Sequence, residues 1–235
     1  MLLAAGLGTR LKPFTSHHPK ALATVNGKTL LQHNIDYLLK HGVTDIIVNV
    51  HHFAEQVIDA LMVYKEFGKH ITLSDESDEL LETGGGLLKA AWFFDDGDPF
   101  ILMNVDILTD MDMFSMAKAH IATDALATLA VTNRSTSRYF LFDKENILCG
   151  WRNTKTGEEK ISRAADQYFS KAFSGIHIIS PHIFPLISFT GKFSMVDVYL
   201  ELAKDNAINA FDHTGSKFID VGKPGSIGEA EKMFS

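Results

Sequence analysis

The chain has 235 residues, of which 46% are hydrophobic and 22% are charged, and its formal net charge is −7. This length suits one substantial α/β domain, and no apolar run approaches the roughly 18 residues that a membrane span needs. The single cysteine, Cys149, excludes an internal disulfide and a cysteine metal cluster. The acidic balance argues against a nucleic-acid partner. The N-terminus lacks the basic region of a signal peptide, so we expect a cytoplasmic protein with no membrane partner.

Apolar runs alternate with amphipathic runs through the first part of the chain. Strands are predicted at residues 2–5, 45–50, 70–76, 99–106 and 125–132. Helices are predicted at residues 29–42, 54–68, 83–94 and 111–123, the first two closed by Gly42 and Gly68. This β-α repeat indicates parallel strands joined by right-handed crossovers, with helices on both faces of the sheet. Met1 almost opens the first strand, so that strand is short, or residues are missing before Met1.

The pattern changes at about residue 138. Antiparallel strands are predicted at residues 138–143 and 146–153, and residues 167–180 bring a strand back toward the core. Short helices at 181–187 and 194–206, strands at 208–214 and 217–222, and a helix from Pro224 complete the chain. We therefore predict one α/β domain over residues 1–235, with halves at about 1–135 and 136–235 and a small antiparallel insertion on the substrate side.

A glycine-rich loop, AAGLGTRLKPFTSHHPKAL at residues 4–22, follows the first strand. A dinucleotide fold needs a third glycine, and a P-loop needs a lysine after its last glycine, and this loop has neither. Pro13 falls where a helix would begin, so the stretch to Asn26 is predicted to be an extended loop.

The charges around this loop are all positive. The first acidic residue of the chain is Asp36, whereas Arg10, Lys12, Lys20 and Lys28 all precede it. Glycines let backbone N–H groups approach a phosphate closely, and arginine and lysine side chains bind its oxygens. The loop therefore predicts an anionic small-molecule ligand, and a nucleoside triphosphate fits it best.

This loop resembles the signature of the sugar-1-phosphate nucleotidyltransferases. The matching positions are Gly6, Gly8, Thr9, Arg10, Pro13, Thr15, Pro19 and Lys20. The resemblance implies a Rossmann-like nucleotide-diphospho-sugar transferase fold with a mixed, mostly parallel sheet. It also implies transfer of a nucleotidyl group from a nucleoside triphosphate to a sugar 1-phosphate, with release of pyrophosphate. The first half would then bind the nucleotide and the second half the sugar phosphate.

The resemblance also implies roles for individual residues. Asp106 of NVD and Asp220 of FIDVG would hold Mg²⁺, the expected cofactor. The expected catalytic residues are Arg10, Lys20 and Asp106. The expected nucleotide-binding residues are Ala4, Ala5, Gly6, Gly8, Thr9, Arg10, Thr83, Gly84 and Gly85. The expected sugar-phosphate-binding residues are Lys20, Asn104, Gly175 and Lys171. A Glu-Lys-Pro found in many members is absent, so Lys171 and Arg163 both stay open as the second sugar-phosphate cation.

Simpler roles stay open for several of these residues. Asp106 could cap the following segment, and Asp220 could pair with a surface lysine. His51 and His52 end a predicted strand, where they could contact a substrate or only pack.

The segment LLETGGGLLKA at residues 80–90 bears on the substrate. It resembles the N-acetylmuramate-1-phosphate uridylyltransferases of cell-wall recycling, which implies UTP and N-acetylmuramate 1-phosphate as substrates. Val105 departs from the Asn-Gly-Asp of that group, and guanylyl transfer to mannose or heptose 1-phosphate is the alternative. A non-catalytic nucleotide-sugar sensor is the alternative of another class. The sequence leaves a monomer or a dimer open.

Overall fold

The computed structural model describes residues 1–66 and 70–235. The chain forms two compact units. The first comprises residues 1–93, 103–111 and 217–235, and the second comprises residues 94–102 and 112–216. Both units are discontinuous in sequence, whereas the sequence predicted two continuous halves with a boundary at about residue 135.

The strands and helices are numbered in chain order. The strands are β1 (Leu2–Leu3), β2 (Thr24–Val25), β3 (Lys28–Thr29), β4 (Asp45–Val50), β5 (His70–Asp75), β6 (Phe100–Asn104), β7 (Ile107–Thr109), β8 (Ala127–Thr132), β9 (Arg138–Phe142), β10 (Leu148–Asn153), β11 (Glu159–Ile161), β12 (Phe169–Ile179), β13 (Ile208–Asp212) and β14 (Phe218–Asp220). The α-helices are α1 (Leu30–Lys40), α2 (Ala54–Glu66), α3 (Glu82–Lys89), α4 (Met113–Thr123), α5 (Met195–Leu202) and α6 (Pro224–Met233). Turns of 3₁₀-helix lie at Thr9–Leu11, Phe14–Ser16, Lys20–Leu22, Ala91–Phe93 and Pro181–Leu186.

The first unit contains a wholly parallel set of strands. Strand β1 lies between β4 and the end of β6, and β5 pairs with the far side of β4. The middle of β4 is buried without interruption, which is typical of a central parallel strand. The predicted α/β class with parallel core strands is confirmed, and the carboxyl ends of β1, β4 and β5 lie side by side.

The second unit holds most of the antiparallel pairing. Strands β9, β10 and β11 form a meander, and β12 pairs antiparallel with β9 and then with β8. Strand β13 adds to β8 in parallel. Gly175 sits at a register shift in β12 with a φ of 73°, a backbone conformation that strongly favours glycine.

The prediction of an extended loop up to Asn26 was wrong. Three 3₁₀ turns lie within it, and β2 and β3 form a hairpin around Asn26 and Gly27, whose φ values are 48° and 77°. Asn-Gly is the favoured pair for a two-residue hairpin turn because both positions need a positive φ. This signal was present in the sequence.

Another predicted helix differs at its end. The helix predicted to reach residue 94 stops at Lys89, and a 3₁₀ turn follows it. The predicted closure of α2 at Gly68 lies outside the described residues. Within residues 1–66 and 70–235, every helix is too short or too polar to cross a bilayer.

A short ribbon in the first unit consists of β7 paired antiparallel with β14. The sequence predicted a strand at β14 and none at β7. Leu108 lies opposite Ile219 in this ribbon, and both side chains are buried. They share a core with Leu11 of the glycine-rich loop and with Ala230 of α6. This core therefore anchors the loop, the ribbon and the last helix to one another.

We predict that Leu11→Ala destabilises the first unit, because the 1% exposed side chain would leave a cavity in this core. The expected loss in the free energy of unfolding is about 2–5 kcal/mol, measured by urea denaturation followed by circular dichroism. The control is Leu7→Ala in the same loop, where the leucine is 42% exposed and the expected change is below about 0.5 kcal/mol. Equal losses in the two variants would contradict the anchoring role of Leu11.

Candidate active site

Gly8 sets the backbone conformation of the glycine-rich loop, and the side chains of Lys20 and Thr15 pack against it. Gly8 has a φ of 59°, and a β-carbon there would lie 2.9 Å from Lys20 Cβ and 2.9 Å from Thr15 Cγ2. The Thr15 hydroxyl donates a hydrogen bond of 2.9 Å to the Gly8 carbonyl oxygen. Glycine is therefore required at position 8 both for its backbone conformation and for this close approach.

Lys20 forms an ion pair with Asp106. Lys20 is only 8% exposed, and its Nζ donates to Asp106 Oδ2. Burying one of these charges alone would be costly, so the pair compensates both desolvated groups. The glycine-rich loop and the end of β6 are thus linked through two of the residues that the sequence predicts to be catalytic.

Asp106 and Asp220 lie next to each other although they are far apart in the sequence. Asp220 is the register partner of Ile107, and the Val221 N–H donates a hydrogen bond of 2.8 Å to the Asp106 carbonyl oxygen. Ile219 and Val221 are buried, so the alternation of a strand places Asp220 on the opposite face from them. The ribbon therefore places the backbones of the two predicted metal ligands side by side.

Asp220 also faces a cation of the glycine-rich loop. Arg10 Nη2 lies 3.9 Å from Asp220 Oδ2, and both side chains are partly exposed. A β-carbon at Gly222 would lie 2.6 Å from Asp220 Oδ1 and 2.8 Å from Arg10 Nη2. Position 222 therefore leaves room for this pair only when it is glycine.

The two carboxylates match the ligands that Mg²⁺ takes in nucleotide sites. Mg²⁺ commonly binds one or two carboxylates and completes its coordination with phosphate oxygens and water. In the part of the chain that the structure describes, no group of three or more His, Cys, Asp or Glu residues could hold a metal ion. Asp106 and Asp220 match Mg²⁺ in the chemistry of their oxygen atoms, and their role as metal ligands stays a prediction.

The second glycine-rich segment begins helix α3. Glu82 takes a left-handed φ of 60° at the helix start, and Gly84, Gly85 and Gly86 of the first turns are buried. Thr83 is half-buried beside them. At the other segment, Ala4 and Ala5 are buried, whereas Gly6 and Thr9 are exposed. A nucleotide-binding role for all these residues stays a prediction.

The residues predicted to bind the sugar phosphate lie in different surroundings. Asn104 ends β6 opposite Leu3 and is half-buried. In the second unit, Lys171 Nζ donates to Asp212 Oδ2 at 2.6 Å and to Asn133 Oδ1 at 2.7 Å. Arg163 Nη2 lies 3.4 Å from the Asn206 carbonyl oxygen. The choice between Lys171 and Arg163 as a sugar-phosphate cation stays open.

Sequence reasoning missed two buried polar residues, Asn49 and Glu76. Asn49 is 2% exposed, Glu76 is 0% exposed, and the two side chains are hydrogen-bonded. Burial raises the pKa of the Glu76 carboxyl, and hydrogen bonds from Asn49 and Leu81 oppose that shift. His51 contacts the Glu76 carbonyl oxygen through Nδ1 at 2.6 Å, so it takes part in packing. A polar residue inside an apolar strand was the signal that could have found Asn49.

Comparison with known proteins assigns the chain to a family. The family model described as nucleotidyl transferase matches residues 1–234. The chain belongs to this family. Its likeness to solved structures agrees at the level of the fold: HddC from Yersinia pseudotuberculosis, solved in complex with GMP-PN, superposes with a TM-score of 0.79 at 24% identity. That match covers 100% of this chain and 98% of the other.

Two kinds of relative are similar in sequence. An N-acetylmuramate alpha-1-phosphate uridylyltransferase from Caulobacter vibrioides is 32% identical, with 88% of this chain and 85% of that protein covered. A mannose-1-phosphate guanyltransferase from Yarrowia lipolytica is 27% identical over 95% of this chain. The chain spans only 60% of the length of the Yarrowia protein.

We predict that Gly222→Ala weakens binding of a nucleoside triphosphate about tenfold, because the new methyl group crowds both Asp220 and Arg10, which we expect to hold Mg²⁺ and the phosphates. Isothermal titration calorimetry with UTP and with GTP, each with MgCl₂, measures this change. The control is Gly228→Ala in α6, where a β-carbon meets no atom within 4 Å. That control should bind as the wild type does and gain about 0.5–1 kcal/mol of stability, since alanine favours a helix. Wild-type affinity in Gly222→Ala would show that this crowding is irrelevant to binding.

Proposed function

We propose that the protein transfers a nucleotidyl group from a nucleoside triphosphate to a sugar 1-phosphate and releases pyrophosphate. The observation that carries the proposal is the pairing of Lys20 with Asp106 and of Arg10 with Asp220 beside the glycine-rich loop. Two cations suited to phosphate and two carboxylates suited to Mg²⁺ are thereby gathered in one unit. Membership of the nucleotidyl transferase family supports the same reaction.

In the proposed reaction, an oxygen of the sugar phosphate attacks the α-phosphorus of the triphosphate. A new P–O bond forms there, and the bond from the α-phosphorus to the bridging oxygen of the β-phosphate breaks. Pyrophosphate leaves with that electron pair. A phosphate monoester has a second pKa of about 6, so the attacking oxygen is already ionised at neutral pH and needs no general base.

The obstacle to this reaction is electrostatic, because two anions must approach and charge builds up on the leaving pyrophosphate. Arg10 and Lys20 would bind phosphate oxygens, and backbone N–H groups of the loop would position them. Asp106 and Asp220 would hold Mg²⁺, which supplies charge neutralisation at the phosphates. Each cation now pairs with one of these aspartates, so Lys20 and Arg10 would turn to the phosphates when the carboxylates take the metal.

We propose UTP and N-acetylmuramate 1-phosphate as the substrates. The reaction would then make a nucleotide sugar for cell-wall recycling, in the cytoplasm. Support comes from the segment at residues 80–90 and from the similarity to the Caulobacter uridylyltransferase over most of both chains. The second candidate is guanylyl transfer to mannose or heptose 1-phosphate. The similarity to yeast mannose-1-phosphate guanyltransferases favours it.

A non-catalytic nucleotide-sugar sensor is the alternative of another class. Such a protein would keep the pocket but could lose a metal aspartate or a phosphate-binding cation without penalty. The chain retains Arg10, Lys20, Asp106 and Asp220. Their retention supports an enzyme.

A pyrophosphate-release assay with Mg²⁺ tests the proposed reaction. UTP, GTP, CTP and dTTP are each combined with the 1-phosphates of N-acetylmuramate, mannose, a heptose, glucose and N-acetylglucosamine. We expect the fastest release from UTP with N-acetylmuramate 1-phosphate. Turnover of GTP with mannose 1-phosphate and none of UTP would overturn the substrate assignment, and no release from any pair would overturn the enzyme.

Asp106→Asn and Asp220→Asn should each lower turnover by about a hundredfold or more, because each removes one negative charge from the metal site. The measurements are initial rates of pyrophosphate release and, as a check on folding, the circular dichroism spectrum. The matched control is Asp36→Asn, which removes only the surface ion pair with Lys28 and should leave the rate unchanged. Wild-type rates in both site variants would mean that the metal site is wrongly assigned.

A further inference from the structure

Asn49 and Glu76 form a buried polar pair to which neither the sequence motifs nor the proposed reaction assigns a role. Asn49 lies near the carboxyl end of β4, and Glu76 follows the last residue of β5. Both side chains are almost fully removed from solvent. Buried amide and carboxyl groups are costly unless they are fully hydrogen-bonded, so the partners of this pair indicate what it stabilises.

Asn49 binds the backbone at the start of the glycine-rich loop. Its Oδ1 accepts hydrogen bonds from the N–H of Ala4 at 2.6 Å and from the N–H of Ala5 at 3.3 Å. These two residues lie between β1 and the glycines of the loop. Asn49 therefore fixes the direction in which the chain leaves β1 and enters the loop.

Glu76 binds the backbone just before the second glycine-rich segment. Its Oε2 accepts a hydrogen bond of 3.3 Å from the N–H of Leu81, the residue before α3. A β-carbon at Gly86 would lie 2.5 Å from Glu76 Oε1 and 3.0 Å from Asn49 Nδ2, so the helix backbone rests directly on the pair. Glu76 thus fixes the start of α3.

The two side chains are joined in one orientation. Asn49 Nδ2 donates a hydrogen bond of 2.7 Å to Glu76 Oε1. The amide cannot turn over, because its NH₂ group would then face the N–H groups of Ala4 and Ala5. Glu76 must present an acceptor both to Asn49 and to Leu81, which a carboxylate does and a carboxamide does not.

We infer that Asn49 and Glu76 are positioning residues that hold the two glycine-rich segments at the spacing needed to grip one nucleoside triphosphate. This inference rests on the proposed function, because it assumes that both segments contact the nucleotide. The pair acts through backbone N–H groups and does not contact the ligand.

Exchanging the carboxamide of Asn49 and the carboxylate of Glu76 between the two positions tests the inference. Asn49→Asp alone puts two carboxyl groups face to face, and Glu76→Gln alone leaves an NH₂ group facing either Asn49 Nδ2 or the Leu81 N–H. In the double variant Asn49→Asp/Glu76→Gln, the aspartate accepts from Ala4, Ala5 and the new amide. The oxygen of that amide accepts from Leu81. All the hydrogen bonds of the pair are thereby restored, and only the one between the two side chains has its direction reversed.

We expect each single variant to bind the nucleotide about tenfold more weakly, and the double variant to bind within about threefold of the wild type. Affinities for UTP and GTP with MgCl₂ are measured by calorimetry below the melting temperature of every variant. The control is Thr128→Val in the second unit, which removes a buried hydrogen bond to His120. It should lower the melting temperature and leave affinity unchanged.

Four results would contradict the inference. Wild-type affinity in both single variants would show that the pair only stabilises the fold. A loss in Glu76→Gln that the second substitution does not restore, or a changed preference between UTP and GTP, would show that Glu76 contacts the nucleotide itself. A wild-type protein that binds none of UTP, GTP, CTP and dTTP would overturn the proposed function, and the inference with it.

Discussion

The hydrogen-bonded ladder between β7 and β14 is the constraint on which the candidate site depends. It pairs two three-residue strands, and the bond from Val221 to Asp106 continues it by one step. The ribbon is too short to be stable alone, and it persists because Leu108 and Ile219 belong to a buried core. The same core holds Leu11 of the loop, so one packing unit sets the positions of the aspartates and of their cations.

The pairing of opposite charges compensates the ionised side chains of the site. Lys20 and Asp106 are largely buried, and either charge alone would be strongly unfavourable there. Arg10 and Asp220 are more exposed, and their separation of 3.9 Å indicates a looser contact that adds little stability. Separating the buried pair therefore requires a new partner for each charge, whereas the exposed pair can rearrange at little cost.

The features that were predicted correctly have a local signal, although the Asn-Gly signal of the β2–β3 hairpin was missed. Strand β4 matches its prediction residue by residue, because a run of β-branched apolar residues marks it. Strand β7 was missed because it has only three residues and its partner β14 lies far along the chain. Asp106 and Asp220 were found through the family resemblance, but their adjacency depends on that non-local ribbon. Asn49 and Glu76 escaped because no residue spacing links them, and only the parallel register brings them together.

The balance of charges in the site also bears on how a ligand reaches it. Lys20, Arg10, Asp106 and Asp220 carry two positive and two negative charges, so their long-range fields largely cancel. A free triphosphate would then feel little electrostatic steering from these four groups, and its association rate would depend only weakly on ionic strength. Attraction would develop at contact, when the ion pairs separate, so selectivity among anions would arise at the bound stage and not during encounter.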